Sequence, residues 1–234
     1  MLRIFDIATS SLVSASRLGA GHAIGKLGAR PALQLEFYEF EGCPFCRKVR
    51  EALSILDLEA KILPCPKGGQ RFRKEVIERG GKAQFPYMVD PNTGREMYES
   101  DAIVRYLFNQ YGDGEVPSLL DLGPLTDLGS MVSGLWRMGA GSRAEPSRAP
   151  WQPLELYSME ASPFCRIVRE KLCSLQLPYL LHNVAQNSPS REAFVARSGK
   201  MMVPWLSDPN TGTELFESAE IIRYLEINYV LEGQ

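Results

Sequence analysis

The sequence predicts an α/β protein made of two tandem domains of one fold, each ordered β-α-β-α-β-β-α behind a leading helix. Three observations predict it: an internal repeat, alternating strand and helix patterns within each copy, and a related four-residue turn at the same place in both. Leu35–Leu58 and Leu154–Leu177 align without gaps at an offset of 119 and share 14 of 24 residues. Gly81–Tyr111 and Gly199–Tyr229 align at an offset of 118 and share 16 of 31. Two blocks in the same order at nearly the same offset mean a duplicated unit of about 120 residues, an ordinary domain size.

Each element follows from its local pattern. Leu35–Phe40 has strand composition. From Pro44 onward, Cys46, Val49, Leu53 and Leu56 recur at steps of three and four, the buried stripe of an amphipathic helix. Pro44 suits its first turn, where a missing N–H costs nothing. A short strand near Ala60–Leu63 and a polar helix near Arg71–Arg79 follow. Pro86–Val89 and Arg95–Tyr98 form a hairpin around Pro91-Asn92-Thr93-Gly94, where Asn and Gly tolerate positive φ. A last helix opens at Ser100, read as its N-cap, and carries Ile103, Val104, Tyr106, Leu107 and Tyr111.

The repeat also reaches upstream, because Arg17–Gly21 corresponds to Arg137–Gly141. Met1–Arg30 is Ser-rich and holds one acidic residue, Asp6, as organellar address peptides do. An address has no reason to recur within a chain, so residues 1–34 read as mainly structural. Gly112–Pro153 joins the halves, with a short helix expected over Leu125–Met138. The domains expected are residues 1–112, with a core over 33–112, and residues 113–234, with a core over 152–231.

Apolar residues make up 44% of the chain, ample for packed cores, yet no apolar run approaches the ~20 residues needed to span a bilayer. A net charge of -2 argues against a nucleic-acid or acidic-membrane partner. Five cysteines, an odd and sparse set, do not make a secreted disulfide framework. No second close-spaced ligand pair accompanies Cys43 and Cys46, so no metal is expected. These features favour a soluble protein of a reducing, intracellular compartment.

Cys43-Pro44-Phe45-Cys46 stands on the turn between the first strand and first helix. A thiolate, not a thiol, attacks disulfides, and a helix N-terminus favours negative charge. Arg47, Lys48 and Arg50 are expected to add positive potential. Cys43 is expected to be exposed with a lowered pKa, and Cys46, within reach to resolve a mixed disulfide, to be more buried. The same pair also reads as half a zinc site or an incidental helical pair. Pro86 reads as an ordinary strand start, Glu99-Ser100 as a helix start, and Lys82 and Arg47 as solvated charges. Cys65, between two prolines, is either an exposed regulatory thiol or a structural one. Cys173, at helical spacing with Leu172 and Arg169, reads as inert.

The strand-turn-helix order, with Cys43-Pro44-Phe45-Cys46, Phe85-Pro86 and Tyr98-Glu99-Ser100, resembles the glutaredoxins and the N-terminal domain of the glutathione transferases, which have the thioredoxin fold. The pattern is most similar to omega-class transferases, glutaredoxins and the redox domain of the type 2 prostaglandin E synthase, and to tandem proteins of cyanobacteria and plastids. The resemblance implies glutathione as co-substrate, with Cys43 as nucleophile and Cys46 resolving. It implies a cis Pro86, backbone contacts from Phe85 to the glutathione cysteine, and Glu99 and Ser100 at the γ-glutamyl end. Phe45, Arg47 and Lys82 complete the expected glutathione site, the two basic residues for its carboxylates. In the second copy the corresponding candidates are Ser162, Cys165, Val203, Pro204, Glu217 and Ser218. Ser162 removes the attacking thiol, leaving either a glutathione-holding serine or a domain kept for packing and docking. The activity implied is thiol–disulfide exchange on protein disulfides or glutathionylated proteins, in cytoplasm or plastid stroma. The alternatives are a glutathione transferase or isomerase and a non-catalytic binding module. A second repeat stands where transferases carry a large helical domain, which lowers the expectation of ordinary conjugation.

Overall fold

The structure, a computed structural model, describes residues 21–121 and 141–231. The two helices expected ahead of the repeats, within residues 1–20 and over Leu125–Met138, lie outside the described residues. The first repeat runs β1 (Leu35–Glu39), α1 (Pro44–Ile55), β2 (Ala60–Pro64), α2 (Arg73–Gly80), β3 (Tyr87–Asp90), β4 (Arg95–Tyr98) and α3 (Ser100–Tyr111). A single turn, α4 (Ser118–Asp121), begins the connection. The second repeat follows the same order: β5 (Leu154–Ser158), α5 (Pro163–Ser174), β6 (Tyr179–Asn183), α6 (Ser190–Ser198), β7 (Trp205–Asp208), β8 (Thr213–Phe216) and α7 (Ser218–Tyr229).

The strands form a single sheet in the order β4-β3-β1-β2-β6-β5-β7-β8. Within each half, a parallel pair is flanked by an antiparallel hairpin, with Leu35 opposite Ala60 and Leu154 opposite Tyr179. The halves meet edge to edge, β2 antiparallel to β6, with Ile62 opposite Tyr179 and Ala60 opposite Leu181. Two like units joined through like strands in opposite directions are related by an approximate two-fold axis. The joint removes two open strand edges at once, which would otherwise leave unpaired backbone groups.

Burial follows from the strand alternation. One face packs Leu35 and Phe37 of β1 and Val49 and Leu53 of α1 into a core that continues across the joint to Leu154, Leu156, Leu172 and Leu177. On the other face, Tyr38 packs with Leu63, Val76 and Tyr87 beneath α2, and its hydroxyl donates to Glu75 Oε1 at 2.6 Å. The second repeat covers Val184, Phe194 and Trp205 in the same place. The stripe of Cys46, Val49, Leu53 and Leu56 is fully buried, as its spacing predicts.

One cap differs from expectation. Ser100 is the first residue of α3, and the cap position belongs to Glu99, whose φ of 69° turns the chain sharply from β4 into the helix. No side chain caps that helix. The mate in the second repeat, Glu217, repeats the turn with φ of 66°.

Candidate functional site

Cys43 is the N-cap of α1, with φ -81° and ψ 120°, and Pro44 takes the first turn. The Cys46 backbone N–H donates to Cys43 Sγ at 3.3 Å, using one of the free donors of the helix start. Burial pushes the Cys43 thiol up, but the hydrogen bonds from the Cys46 side chain and backbone outweigh it and leave its pKa lowered. Burial pushes the Cys46 thiol well up, and the bond to Cys43 adds to that. The two thiols are thus separated in acidity by position on one helical turn.

Two expectations about this site need correction. Cys43 is 3% exposed, not open to solvent. The motif turn is tucked into the shared core, where Phe40 and Phe85 pack edge to face at 6.2 Å. The basic residues after the motif are not a free positive field either. Arg47, buried, donates from Nε to Glu51 Oε1 at 3.1 Å. Lys48 is ion-paired to Asp101 at the start of α3. Arg50 is sunk in a cluster of carboxylates described below. Arg47 is therefore not a solvated charge.

Of the other candidates, Phe85 packs against the core cluster that holds Cys43 and Cys46. Phe85–Pro86 is a cis peptide, as is Val203–Pro204 in the second repeat. The Phe85 ring carries the Arg73 guanidinium 4.7 Å from its centroid. Glu99 accepts from Gln84 Nε2, and Ser100 behind it is buried. Lys82 is exposed, with its ammonium 4.7 Å over the Tyr98 ring, and its carbonyl accepts from the Tyr98 hydroxyl at 2.9 Å. Phe45 stands 40% exposed at the rim, the most accessible residue of the motif.

The second repeat keeps this geometry around a different atom. Ser162 caps α5 with φ -74° and ψ 123°, accepting from the Cys165 N–H at 3.3 Å. A cavity of about 190 Å³ is lined by Phe164, Met202, Val203, Pro204, Glu217 and Ser218. Five of these six are the mates of Phe45, Phe85, Pro86, Glu99 and Ser100, so the residues expected to act together in one repeat do come together around a cavity in the other. Cys65 and Cys173 are buried with their thiols pushed well up by burial, which fits structural roles.

Sequence reasoning missed a buried ion cluster on the joint. Glu39 at the end of β1 and Glu41 just after it meet Arg50 of α1 with Glu160 and Arg169 of the second repeat. Arg169 donates from Nε and Nη2 to both oxygens of Glu41 at 3.1 Å each. A signal was present: Glu41 and Arg50 recur as Glu160 and Arg169 at the same offset. Beside the cluster, burial and the nearby Arg47 push the Arg166 guanidinium down to about 9.

Two thioredoxin-like units, each with a motif turn at a helix start, a cis-proline loop and a Glu-Ser helix entry, define the class of protein. The model of the family "Glutathione S-transferase, N-terminal domain" matches residues 37–118 and again residues 156–233, one match per repeat. The chain belongs to that family. No curated protein matches it in sequence. Among solved structures it is similar to TDR1 of Leishmania, described as a unique trimeric glutathione transferase, at 16% identity and a TM-score of 0.31, over 86% of this chain and 69% of that one. Among the described residues, no helix is long and apolar enough to cross a membrane.

Proposed function

We propose that the first repeat is a glutathione-dependent thiol–disulfide oxidoreductase, with Cys43 attacking and Cys46 resolving. The observation that carries this is the place of Cys43 Sγ at the start of α1, where it accepts from the Cys46 N–H at 3.3 Å; the bonds from Cys46 lower the Cys43 pKa, while burial raises that of Cys46. Cys43 Sγ attacks the mixed disulfide of a glutathionylated protein, the protein thiolate leaves and takes a proton, and glutathione remains on Cys43. A second glutathione thiolate then attacks the glutathionyl sulfur, forming glutathione disulfide and freeing the Cys43 thiolate. Alternatively Cys46, after losing its proton, attacks Cys43 Sγ, forms the Cys43–Cys46 disulfide and releases glutathione thiolate. Membership of the family supports glutathione as the co-substrate. Its place would be beside Phe85 and Pro86, with Glu99 and Ser100 at one end and Lys82 at the other. A thiol only 3% exposed favours a slender disulfide partner such as a glutathionyl group over a folded surface.

A second reading is a transferase or isomerase that activates glutathione, in line with the omega-class and prostaglandin-synthase resemblances, and the family match favours keeping it. Under either reading the chain comprises two domains, residues 1–112 and 113–234, and works in cytoplasm or plastid stroma. The second, lacking an attacking thiol, holds glutathione or serves for packing and docking, with Ser162 at the helix start and the cavity lined by Phe164, Val203, Pro204, Glu217 and Ser218 as its candidate site. The test compares reduced wild type with Cys43→Ser on a glutathionylated peptide in the presence of glutathione. Turnover lost in the variant supports the oxidoreductase, and equal inactivity of both proteins sinks it. Conversion of an electrophile that survives Cys46→Ser would favour the transferase.

A further inference from the structure

We propose that the cavity where the segment ahead of β1, the turn from α1 to β2 and the start of α6 meet is a binding site for a small primary amine in its ammonium form, held by Asp57. The cavity measures about 340 Å³, at the lower end of small-molecule sites. It uses no residue of the thiol site and stands or falls apart from it.

The two repeats show what the cavity lacks. Asp57 and Gln176 are mates at the offset of 119, each with φ of 51° just after the helix that follows the motif turn. In the second repeat, Gln176 Oε1 accepts from the backbone N–H groups of Gln70 at 2.8 Å and Arg71 at 3.2 Å. Gly69 lets that loop come close, because a Cβ there would stand 2.8 Å from Gln176 Oε1. Arg71 Nη1 then donates to the carbonyls of Leu175 at 2.8 Å and Gln176 at 2.9 Å. Around Asp57 the matching loop is shorter. Between the mates Gly69/Ser188 and Arg73/Arg191, Pro189-Ser190 stands in place of Gln70-Arg71-Phe72. Pro189 has no N–H to give, and the Ser190 N–H donates to Ser188 Oγ at 3.1 Å instead. Arg30 Nη1 meets the carbonyls of Leu56 and Asp57 at 2.8 and 3.0 Å, but nothing replaces the two donors to the side chain. Asp57 is 9% exposed, and among the described residues its buried Oδ1 accepts no hydrogen bond.

The chemistry of the missing donor follows from the acceptor. Gln176 is neutral and is met by neutral donors. Asp57 carries a carboxylate, and a buried charge is costly without a partner, so the donor that fits it is cationic. Burial raises the Asp57 pKa, and Ser188, Arg30 and Ser190 offset that only in part. The Arg30 guanidinium is already committed to three backbone carbonyls, those of Leu56, Asp57 and Tyr111. Glu59, also lining the cavity, adds a second acid whose pKa is lowered by His182, with Nδ1 at 2.6 Å from Oε1. Leu27, Leu33 and Leu58 give the cavity an apolar lining for the short alkyl chain behind an ammonium group.

The test titrates the full chain with n-butylammonium chloride at neutral pH and follows the backbone amides by NMR. Saturable binding at one site in the millimolar range is expected, with the shifts gathered at residues 27–34, 57–59 and 189–190. Asn tolerates positive φ as Asp does, so Asp57→Asn should fold and bind about tenfold more weakly, the scale of one charge-assisted hydrogen bond. Ser190→Arg should abolish binding by filling the cavity from the chain itself. Tetramethylammonium, equally charged but without an N–H, should also bind about tenfold more weakly than n-butylammonium. Absence of saturable binding overturns the proposal, as does an affinity unchanged in either variant. Equal affinity for tetramethylammonium overturns it too, because the cavity would then offer only a general attraction for cations.

Discussion

Arg50 of α1 and Glu160, just ahead of α5, form an ion pair across the repeat joint, Nε to Oε2 at 3.3 Å, with side chains 1% and 3% exposed. The two-fold mate of this contact joins Arg169 to Glu41. Removing one member of such a set leaves its partners charged and dry. For Arg50 those partners are Glu39, Glu41 and Glu160. Arg50→Met is therefore expected to lower the unfolding free energy by about 3–5 kcal/mol. Urea denaturation measures this, and a loss under about 1 kcal/mol, the scale of an exposed pair, would show that water already compensates the cluster.

The five thiols should differ sharply in reactivity. Cys43 has its pKa lowered by bonds from Cys46, whereas burial raises those of Cys46, Cys65 and Cys173. Brief iodoacetamide treatment at neutral pH, mapped by peptide mass spectrometry, should label Cys43 ahead of those three. Cys65 and Cys173 should react only when denaturant opens the core, since both are at most 1% exposed. Early labelling of Cys65 in native protein would revive it as a regulatory thiol.

Acid should weaken the fold through two matching carboxylates. Asp90 Oδ2 accepts from the hydroxyls of Tyr106 at 2.5 Å and Tyr111 at 2.6 Å, and Oδ1 accepts from the Asn92 N–H at 2.8 Å. Asp208 has the same arrangement with Tyr224 at 2.7 Å and Asn210 at 2.8 Å, and with Tyr229. Burial opposes ionisation at both, yet these bonds hold both carboxyls below the ordinary aspartate value. A depressed folded-state pKa gives stability that is complete above the unfolded value and lost as pH falls through the folded one. The window therefore lies below about pH 4. In denaturant melts across that range, Asp90→Asn should be less stable at neutral pH and should show a shallower acid limb. An unchanged limb would mean that another group controls it.

How much of this was legible in the sequence depends on the range of the interaction. The elements were, because Val49, Leu53 and Leu56 mark a buried helical face and Asn92-Thr93-Gly94 a turn within a few residues of each other. The joint of β2 to β6 was not, since Ala60, Ile62 and Leu181 alternate as they would beside any neighbour. Arg50 reads locally as a helix surface charge, and its partner Glu160 lies 110 residues away. Cys43 reads as exposed because a helix start normally is, and only the fold draws it into a core cluster against which Phe40 and Phe85 pack. The carboxylate at Glu39 has no local signature beyond a difference from its mate, Ser158.

The replacement of Cys43 by Ser162 in the second copy gives the most direct test of what separates the repeats. Ser162 and Cys43 have nearly the same backbone angles, and each accepts the N–H three residues on at 3.3 Å. Ser162→Cys therefore places a thiol at the start of α5 without altering the turn, two residues before Phe164, which lines the cavity with Val203, Pro204 and Glu217. The new thiol would accept the N–H three residues on, as Cys43 does, so it should be alkylated over the same pH range as Cys43. Peptide mapping against pH separates the two sites in one sample. A new thiol that instead reacts only at clearly higher pH than Cys43 would show that the helix start alone does not set the acidity of the motif.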